Sequence, residues 1–207
     1  SGGLSDTGGR FKIATVKPYQ GNRGKSPKPK NWAFLRQRMM AGDFGRKLEV
    51  EKYAEADDLC ASRAGPRTAL HYQDKDFRMN PGWHVTWKSY DLIYLPEGTY
   101  ELVHDGLVYG EKWFWLQMLQ GDPADNIPGV PALYGKLCGP TRAEKYLAEA
   151  INGSQARDLV AAAYLNHYGV DSWRQMLLEQ AQLLWMRKNP EDDMDVLHQG
   201  PLKGFEA

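Results

Sequence analysis

Seven carboxylates packed into three short words set the strongest constraint on what this chain can fold into: Glu55-Ala56-Asp57-Asp58, Asp74-Lys75-Asp76 and Gly121-Asp122-Pro123-Ala124-Asp125. Acidic groups brought close together repel steeply where the dielectric is low, so a fold that gathers them must also neutralise them. Hard divalent cations such as Mg²⁺ or Mn²⁺ do so through oxygen ligands. Two such ions about 4 Å apart can clamp the attacking and leaving oxygens of a phosphodiester, with no nucleophilic side chain required. Taken singly, each acidic pair reads as easily as a solvated turn or helix face. Three in succession, each beside an apolar stretch, point to one shared site for two cations, of the kind a nuclease uses.

The 207 residues suit one domain able to bury about 70% of the surface its unfolded form exposes. With 42% hydrophobic and 12% aromatic residues the chain is no disordered tail. No apolar run approaches the roughly 18 residues of a membrane span, and nothing reads as a secretory signal. Cys60 and Cys138 stand outside any zinc or redox spacing and fit reduced thiols in a cytosolic protein better than a disulfide framework. The five histidines show no paired spacing suited to zinc. The net charge of zero hides a division: residues 1–52 carry a net of +8 and the remainder a net of −8. A basic segment joined to an acidic one suits an enzyme that grips phosphates with one part and holds cations with another.

The segment from Pro18 to Pro29 is built of Gly, Pro, Lys, Arg and Asn and reads as a basic loop that orders on binding. Asn31 opens a helical stripe of Trp32, Leu35 and Met39 that Gly42 ends. That stripe reads as packing, or, for Trp32 and Phe34, as surfaces on which bases stack. A strand is expected at Leu48–Tyr53, then a helix from Ala54 on which Glu55 and Asp58 share a face, as cation ligands or as a helix cap. Ala69–Gln73 reads as a strand delivering Asp74 and Asp76 at its carboxyl end, where open α/β sheets gather ligands. Further strands are expected at Val85–Trp87, Asp91–Leu95 and Thr99–Val103. Gly110–Gln120 reads as a buried aromatic helix, and Asp122 and Asp125 can share an ion if their segment turns helically. Pro128-Gly129 opens a hairpin, followed by a helix from Cys138 through Ile151 whose loop offers backbone N–H groups to phosphate, with Lys136 and Arg142 as cationic candidates. Helices at Gln155–Tyr168 and Ser172–Lys188 read as scaffold, and residues from Asn189 onward as a tail without its own core.

The word Gly121-Asp122-Pro123-Ala124-Asp125-Asn126-Ile127-Pro128-Gly129-Val130-Pro131 resembles the signature of the flap endonuclease and 5′ nuclease superfamily. Glu55 to Asp58 and Asp74-Lys75-Asp76-Phe77 resemble that family's other acidic blocks, in the same order. Tyr19-Gln20-Gly21-Asn22-Arg23 and Phe11-Lys12 resemble the entrance to its helical arch. Lys112 to Leu119 and Cys138-Gly139-Pro140 are most similar to the bacteriophage-type branch, which is itself similar to the 5′ nuclease domain of bacterial DNA polymerase I.

The resemblance, running from about Arg10 to Arg187, implies an α/β fold with a central, mainly parallel sheet flanked by helices. It implies a metal-binding core at 1–118 with a basic arch at about 10–47, a helix-hairpin-helix region at 119–188 and a tail at 189–207. It also implies a structure-specific 5′–3′ exonuclease or flap endonuclease using two Mg²⁺ or Mn²⁺ ions. Glu55, Asp57, Asp58, Asp74, Asp76, Asp122 and Asp125 would hold the ions. Asp6 fits either an eighth ligand or a turn residue among glycines. Arg23 and Lys12 would stabilise charge on the scissile phosphate. Tyr19, Gln20, Asn22, Lys25, Arg36, Gly129, Lys136, Gly139 and Arg142 would contact DNA, with K⁺ at the hairpin. The substrates implied are flap, nicked or 5′-ended duplex DNA, extending to RNA/DNA hybrids, for a monomer working beside replication proteins.

Two departures stand out: Gln20 replaces a family Lys, and the family's first strand with its Asp is expected upstream of Ser1. Lys17 or Lys25 would compensate for Gln20. The competing readings are a non-catalytic or impaired DNA-binding module of the same fold, and a ribonuclease of the related PIN type.

Overall fold

The computed structural model describes residues 9–22, 27, 29–43 and 54–205. The expected strand at 48–53, and the candidates Asp6, Arg23 and Lys25, lie outside the described residues. Helices α1 (Gly9–Ile13), α2 (Trp32–Met40) and α3 (Ala56–Ser62) come first. Strands β1 (Ala69–His71), β2 (Gly82–Val85) and β3 (Leu92–Leu95) follow, then a hairpin of β4 (Leu102–His104) and β5 (Leu107–Tyr109). Helix α4 (Glu111–Gln120) leads to a second hairpin, β6 (Ala132–Leu133) and β7 (Lys136–Leu137). Helices α5 (Pro140–Tyr146), α6 (Gly153–Tyr168), α7 (Trp173–Leu184) and α8 (Asp195–His198) complete the chain.

Helix α4 is the axis of the core. Phe114, Trp115, Met118 and Leu119 have no exposed surface, as expected of a helix apolar on nearly every side. Each such side chain contributes about 1.5 to 3 kcal/mol by leaving water. Helices α5, α6 and α7 pack around it, and the Tyr164 hydroxyl of α6 donates to the Met118 carbonyl at 2.9 Å. Glycines bracket the helix in the left-handed region, Gly110 at φ 94° and Gly121 at φ 70°.

The sheet differs from the expected, mainly parallel one. Among the described residues it holds β1 parallel to β2, with Ala69 opposite Trp83, and β3 antiparallel to β2, with Gly82 opposite Leu95. Strand β2 begins at Gly82 rather than at Val85 because its inward position is His84, fully buried between the Tyr72 hydroxyl and the Asn80 carbonyl. A polar residue on the inner face hides a strand from hydrophobic alternation. Both hairpins turn through two residues of positive φ, Asp105-Gly106 and Tyr134-Gly135, which matches the strand twist.

Helix α2 forms where the stripe predicts it but buries none of its residues, leaving Phe34, Leu35 and Met40 exposed. Helix α5 stops at Tyr146, short of the expected Ile151, which is 76% exposed. The expected tail instead joins the main core. Val196 and Leu202 are buried in it, and Asp195 is fully buried.

Candidate metal centre

The first acidic word sits at the start of α3. Glu55 is its N-cap residue, and the Glu55 N–H donates to Asp58 Oδ2 at 3.4 Å. Into this word runs Arg10, from α1. Its guanidinium donates to both Asp58 oxygens at 2.7 Å, to Glu55 Oε2 at 2.6 Å, and to the carbonyls of Leu183 and Trp185 at 3.2 and 2.7 Å. All five guanidinium donors are therefore used, which allows an arginine 4% exposed to stay charged. Burial opposes that charge, but Asp58 and Glu55 outweigh it and hold the Arg10 pKa well above its ordinary value. Asp58 also accepts from the Arg187 N–H at 2.9 Å. Both Asp58 oxygens thus bond inside the protein, while Asp58 still lies among the other acids of its word. Asp57 is different. Burial, with Glu55 and Asp58 adding to it and Arg10 opposing, pushes its pKa up to about 7.

The second group joins two segments. Asp76 lies in a short 3₁₀ helix, Lys75–Met79, whose N-cap Asp74 accepts from the Asp76 N–H at 3.0 Å. Asp122 and Asp125 lie in the loop after α4. There Asp122 and Ile127 exchange both backbone hydrogen bonds at 2.9 Å, and Asp122 Oδ1 accepts from the Ala124 N–H at 2.9 Å. The loop closes because Gly121 and Gly129 pack back to back: a Cβ on Gly129 would meet the Gly121 nitrogen at 2.3 Å. The Lys75 ammonium bridges Asp76 Oδ1, at 3.0 Å, and Asp122 Oδ2. Burial raises the Asp76 pKa, as do Asp74 and Asp122, while Lys75 lowers it. Gln117, fully buried on α4, donates to Asp76 Oδ1 at 2.5 Å.

Tyr19 links the two groups. Its hydroxyl lies 3.0 Å from Glu55 Oε2 and 3.4 Å from Asp125 Oδ2. Burial, with Glu55 and Asp125 adding to it, raises the Tyr19 pKa, so the phenol keeps its proton and donates. The segment around it is docked on the acidic loop. The Gln20 N–H donates to the Asp125 carbonyl at 2.9 Å, Asn22 Nδ2 to the Pro123 carbonyl at 2.7 Å, and Asn126 Nδ2 to the Pro18 carbonyl at 3.0 Å.

This donor set fits hard divalent cations. Glu55, Asp57 and Asp58 each offer an oxygen within 4.8 Å of the others, and so do Asp76, Asp122 and Asp125. Gln117 adds a buried Oε1 without a hydrogen-bond partner in the structure, next to Asp76. Asp58 is the member of these groups whose two oxygens both accept from Arg10; the others are Glu55, Asp57, Asp76, Asp122 and Asp125. Exposed Asp74 caps and steadies Asp76.

The expected DNA contacts fare unevenly. Tyr19 is 5% exposed, packs edge-on to Phe11 and turns its hydroxyl to the acids. Gly129 is buried, its N–H donating to Gln180 and its carbonyl accepting from Tyr168, so no part of its backbone remains for DNA. Asn22 is exposed and gives one amide N–H to the docking contact, and Gln20 sits half-buried at φ 53°. Lys12 is exposed on α1, and Arg36 is exposed on α2 with its guanidinium 5.9 Å from the Trp32 ring. Lys136, Gly139 and Arg142 do come together, lining a cleft of about 760 Å³ with Lys145, Tyr134 and Tyr146. The sequence reading missed Arg10, Lys75 and Gln117. A capping reading of Glu55 and Asp58 held the one clue, since two acids on a helix start invite a cation.

No protein-family model and no curated protein matches the chain. Among solved structures, the T5 D15 protein co-crystallised with metal ions is similar at a TM-score of 0.55 and 17% identity, covering 99% of this chain and 83% of that one. The likeness is one of fold. It agrees with a mixed α/β architecture of helices and small sheets.

Proposed function

We propose that this chain is a metal-dependent nuclease acting on DNA, a structure-specific 5′–3′ exonuclease and flap endonuclease of the cytoplasm of a bacterium or phage-infected host. One observation carries the reading: carboxylates from three separate segments converge, with the Tyr19 hydroxyl touching both Glu55 and Asp125. A binding module gains only phosphate repulsion from such a gathering. Two Mg²⁺ or Mn²⁺ ions bound there would supply Lewis acidity and an acidified water for in-line attack on phosphorus.

The protein's own residues do the rest. Glu55, Asp57, Asp76, Asp122 and Asp125 hold the ions. Arg10 and Asp58 fix the start of α3, and Gln117 and Asp74 orient Asp76. Lys12 and Arg23 stand as candidates to offset charge on the scissile phosphate. The unit formed by α4, the acidic loop, the β6–β7 hairpin and α5 is suited to the backbone of duplex DNA through Lys136, Gly139 and Arg142, with K⁺ at the hairpin.

The test is incubation of the chain with labelled flap, nicked duplex and hairpin RNA in Mn²⁺ or Mg²⁺, beside Asp122→Ala. Metal-dependent cutting of flap or nicked DNA, lost in the variant, is expected. Binding without cutting would favour the DNA-binding module, and cutting confined to RNA the PIN-type ribonuclease.

A further inference from the structure

The two acidic groups are neutralised by cations of very different kinds. Arg10 is 4% exposed, all its donors are engaged, and two of them hold backbone carbonyls, so it cannot leave without uncovering buried acceptors. The Lys75 side chain is 35% exposed, flexible and strongly hydrated when free. Its ammonium bridges Asp76 and Asp122, residues that β2 to β5 and α4 separate along the chain. Without a positive charge between them these two carboxylates would repel. Among the described residues, no other lysine or arginine forms a salt bridge with Asp76 or Asp122.

We propose that the Lys75 ammonium is a removable counter-ion. It occupies the place between Asp76 and Asp122 in the metal-free protein, keeps the two acids in register, and is expelled when a divalent cation binds there. The inference rests on the cation-binding reading above. A charged ammonium and a divalent ion cannot share the same two oxygens without repulsion, so binding the one releases the other. Asp76 keeps a neutral donor throughout, from Gln117, which does not compete with a cation for charge. Lys75 therefore sets how much free cation the second group requires. Arg10, fixed in place, exerts no such threshold on the first.

The test is calorimetric titration of the 207-residue chain with MnCl₂, comparing wild type, Lys75→Met and Lys75→Arg, together with thermal unfolding in EDTA. Removing the competing charge is expected to tighten Mn²⁺ uptake by roughly threefold to tenfold at unchanged stoichiometry, the scale of one ion pair. The same variant should unfold at a lower temperature in EDTA and regain the difference when Mn²⁺ saturates. Lys75→Arg should stay near wild type in EDTA. Should Lys75→Met prove too unstable to titrate, Lys75→Gln takes its place. Equal Mn²⁺ affinity in wild type and Lys75→Met, or weaker affinity in the variant, would overturn the counter-ion role while leaving the cation centre standing. Absence of uptake in every form would overturn both.

Discussion

Both oxygens of Asp58 accept from the Arg10 guanidinium at 2.7 Å, across 48 residues of chain, and neither side chain has more than 4% of its surface exposed. Asp57, its neighbour, makes no such pair and is held near neutrality in its titration by burial. Two adjacent aspartates of one word thus have opposite settings: Asp58 is paired with Arg10 and secures α3, and Asp57 forms no salt bridge with a described lysine or arginine.

Asp58→Asn is therefore expected to destabilise the fold by up to about 3 kcal/mol, because buried Arg10 then keeps Glu55 as its one carboxylate partner among the described residues. Asp57→Asn should leave metal-free stability unchanged or slightly higher while weakening Mn²⁺ uptake. Urea unfolding in EDTA, set beside a Mn²⁺ titration, separates the two. A loss of stability in Asp57→Asn as large as in Asp58→Asn would refute the division.

His84 makes the fold sensitive to mild acid. The Asn80 carbonyl can only accept, so Nε2 carries the proton of the neutral ring and Nδ1 accepts from the Tyr72 hydroxyl. Burial lowers the His84 pKa, with the Asn80 bond opposing. The unfolded chain then takes up a proton near pH 6.5 that the folded chain takes up only at lower pH, so this group's stabilisation is present above that pH and is lost as the pH falls below it. The stability difference between wild type and His84→Gln should shrink between pH 7 and 5. A difference constant with pH would refute the assignment.

Gly121→Ala should be far more damaging than Gly135→Ala, although both glycines sit near φ 70°. A Cβ at Gly121 would lie 2.4 Å from the Ile127 carbonyl oxygen, whereas at Gly135 nothing lies within 4 Å. The second change should cost only the left-handed backbone penalty of about 1 to 2 kcal/mol. The first should also force open the loop that carries Asp122 and Asp125. Chemical unfolding measures the gap, and equal losses would mean the loop tolerates displacement.

Lys136→Ala and Arg142→Ala should weaken duplex DNA binding without sequence preference. Each should lower the slope of log affinity against log salt by about one if it holds a phosphate. Fluorescence anisotropy across a salt series reads this directly. An unchanged slope would remove the residue from the interface.

What the sequence disclosed, and what it withheld, follows from the range over which each signal acts. The three acidic words, the α4 helix between glycines and the hairpin after Gly129 are written in neighbouring residues, and each was legible. Arg10 reaching Glu55 across 45 residues, or Tyr19 reaching Asp125 across 106, leaves no local mark. Tyr19 and Gly129 read as nucleic-acid contacts because their residue types suit that task. In the structure the Tyr19 hydroxyl meets carboxylates, and Gly129 lets two backbone turns meet. Helix α2 misled in the other direction. Its apolar stripe predicts packing, but the described residues offer it no surface to pack against.

The buried carboxylate of Asp195 receives the Trp185 indole N–H at 2.7 Å and the backbone N–H groups of Lys188 and Asn189 at 2.9 and 3.2 Å. It thereby pins the strand of chain whose Trp185 carbonyl steadies Arg10. The upkeep of the acidic centre extends well past its own ligands. A loosened carboxyl-terminal clasp, some seventy residues downstream of Asp125, would be felt at Glu55 through a single guanidinium.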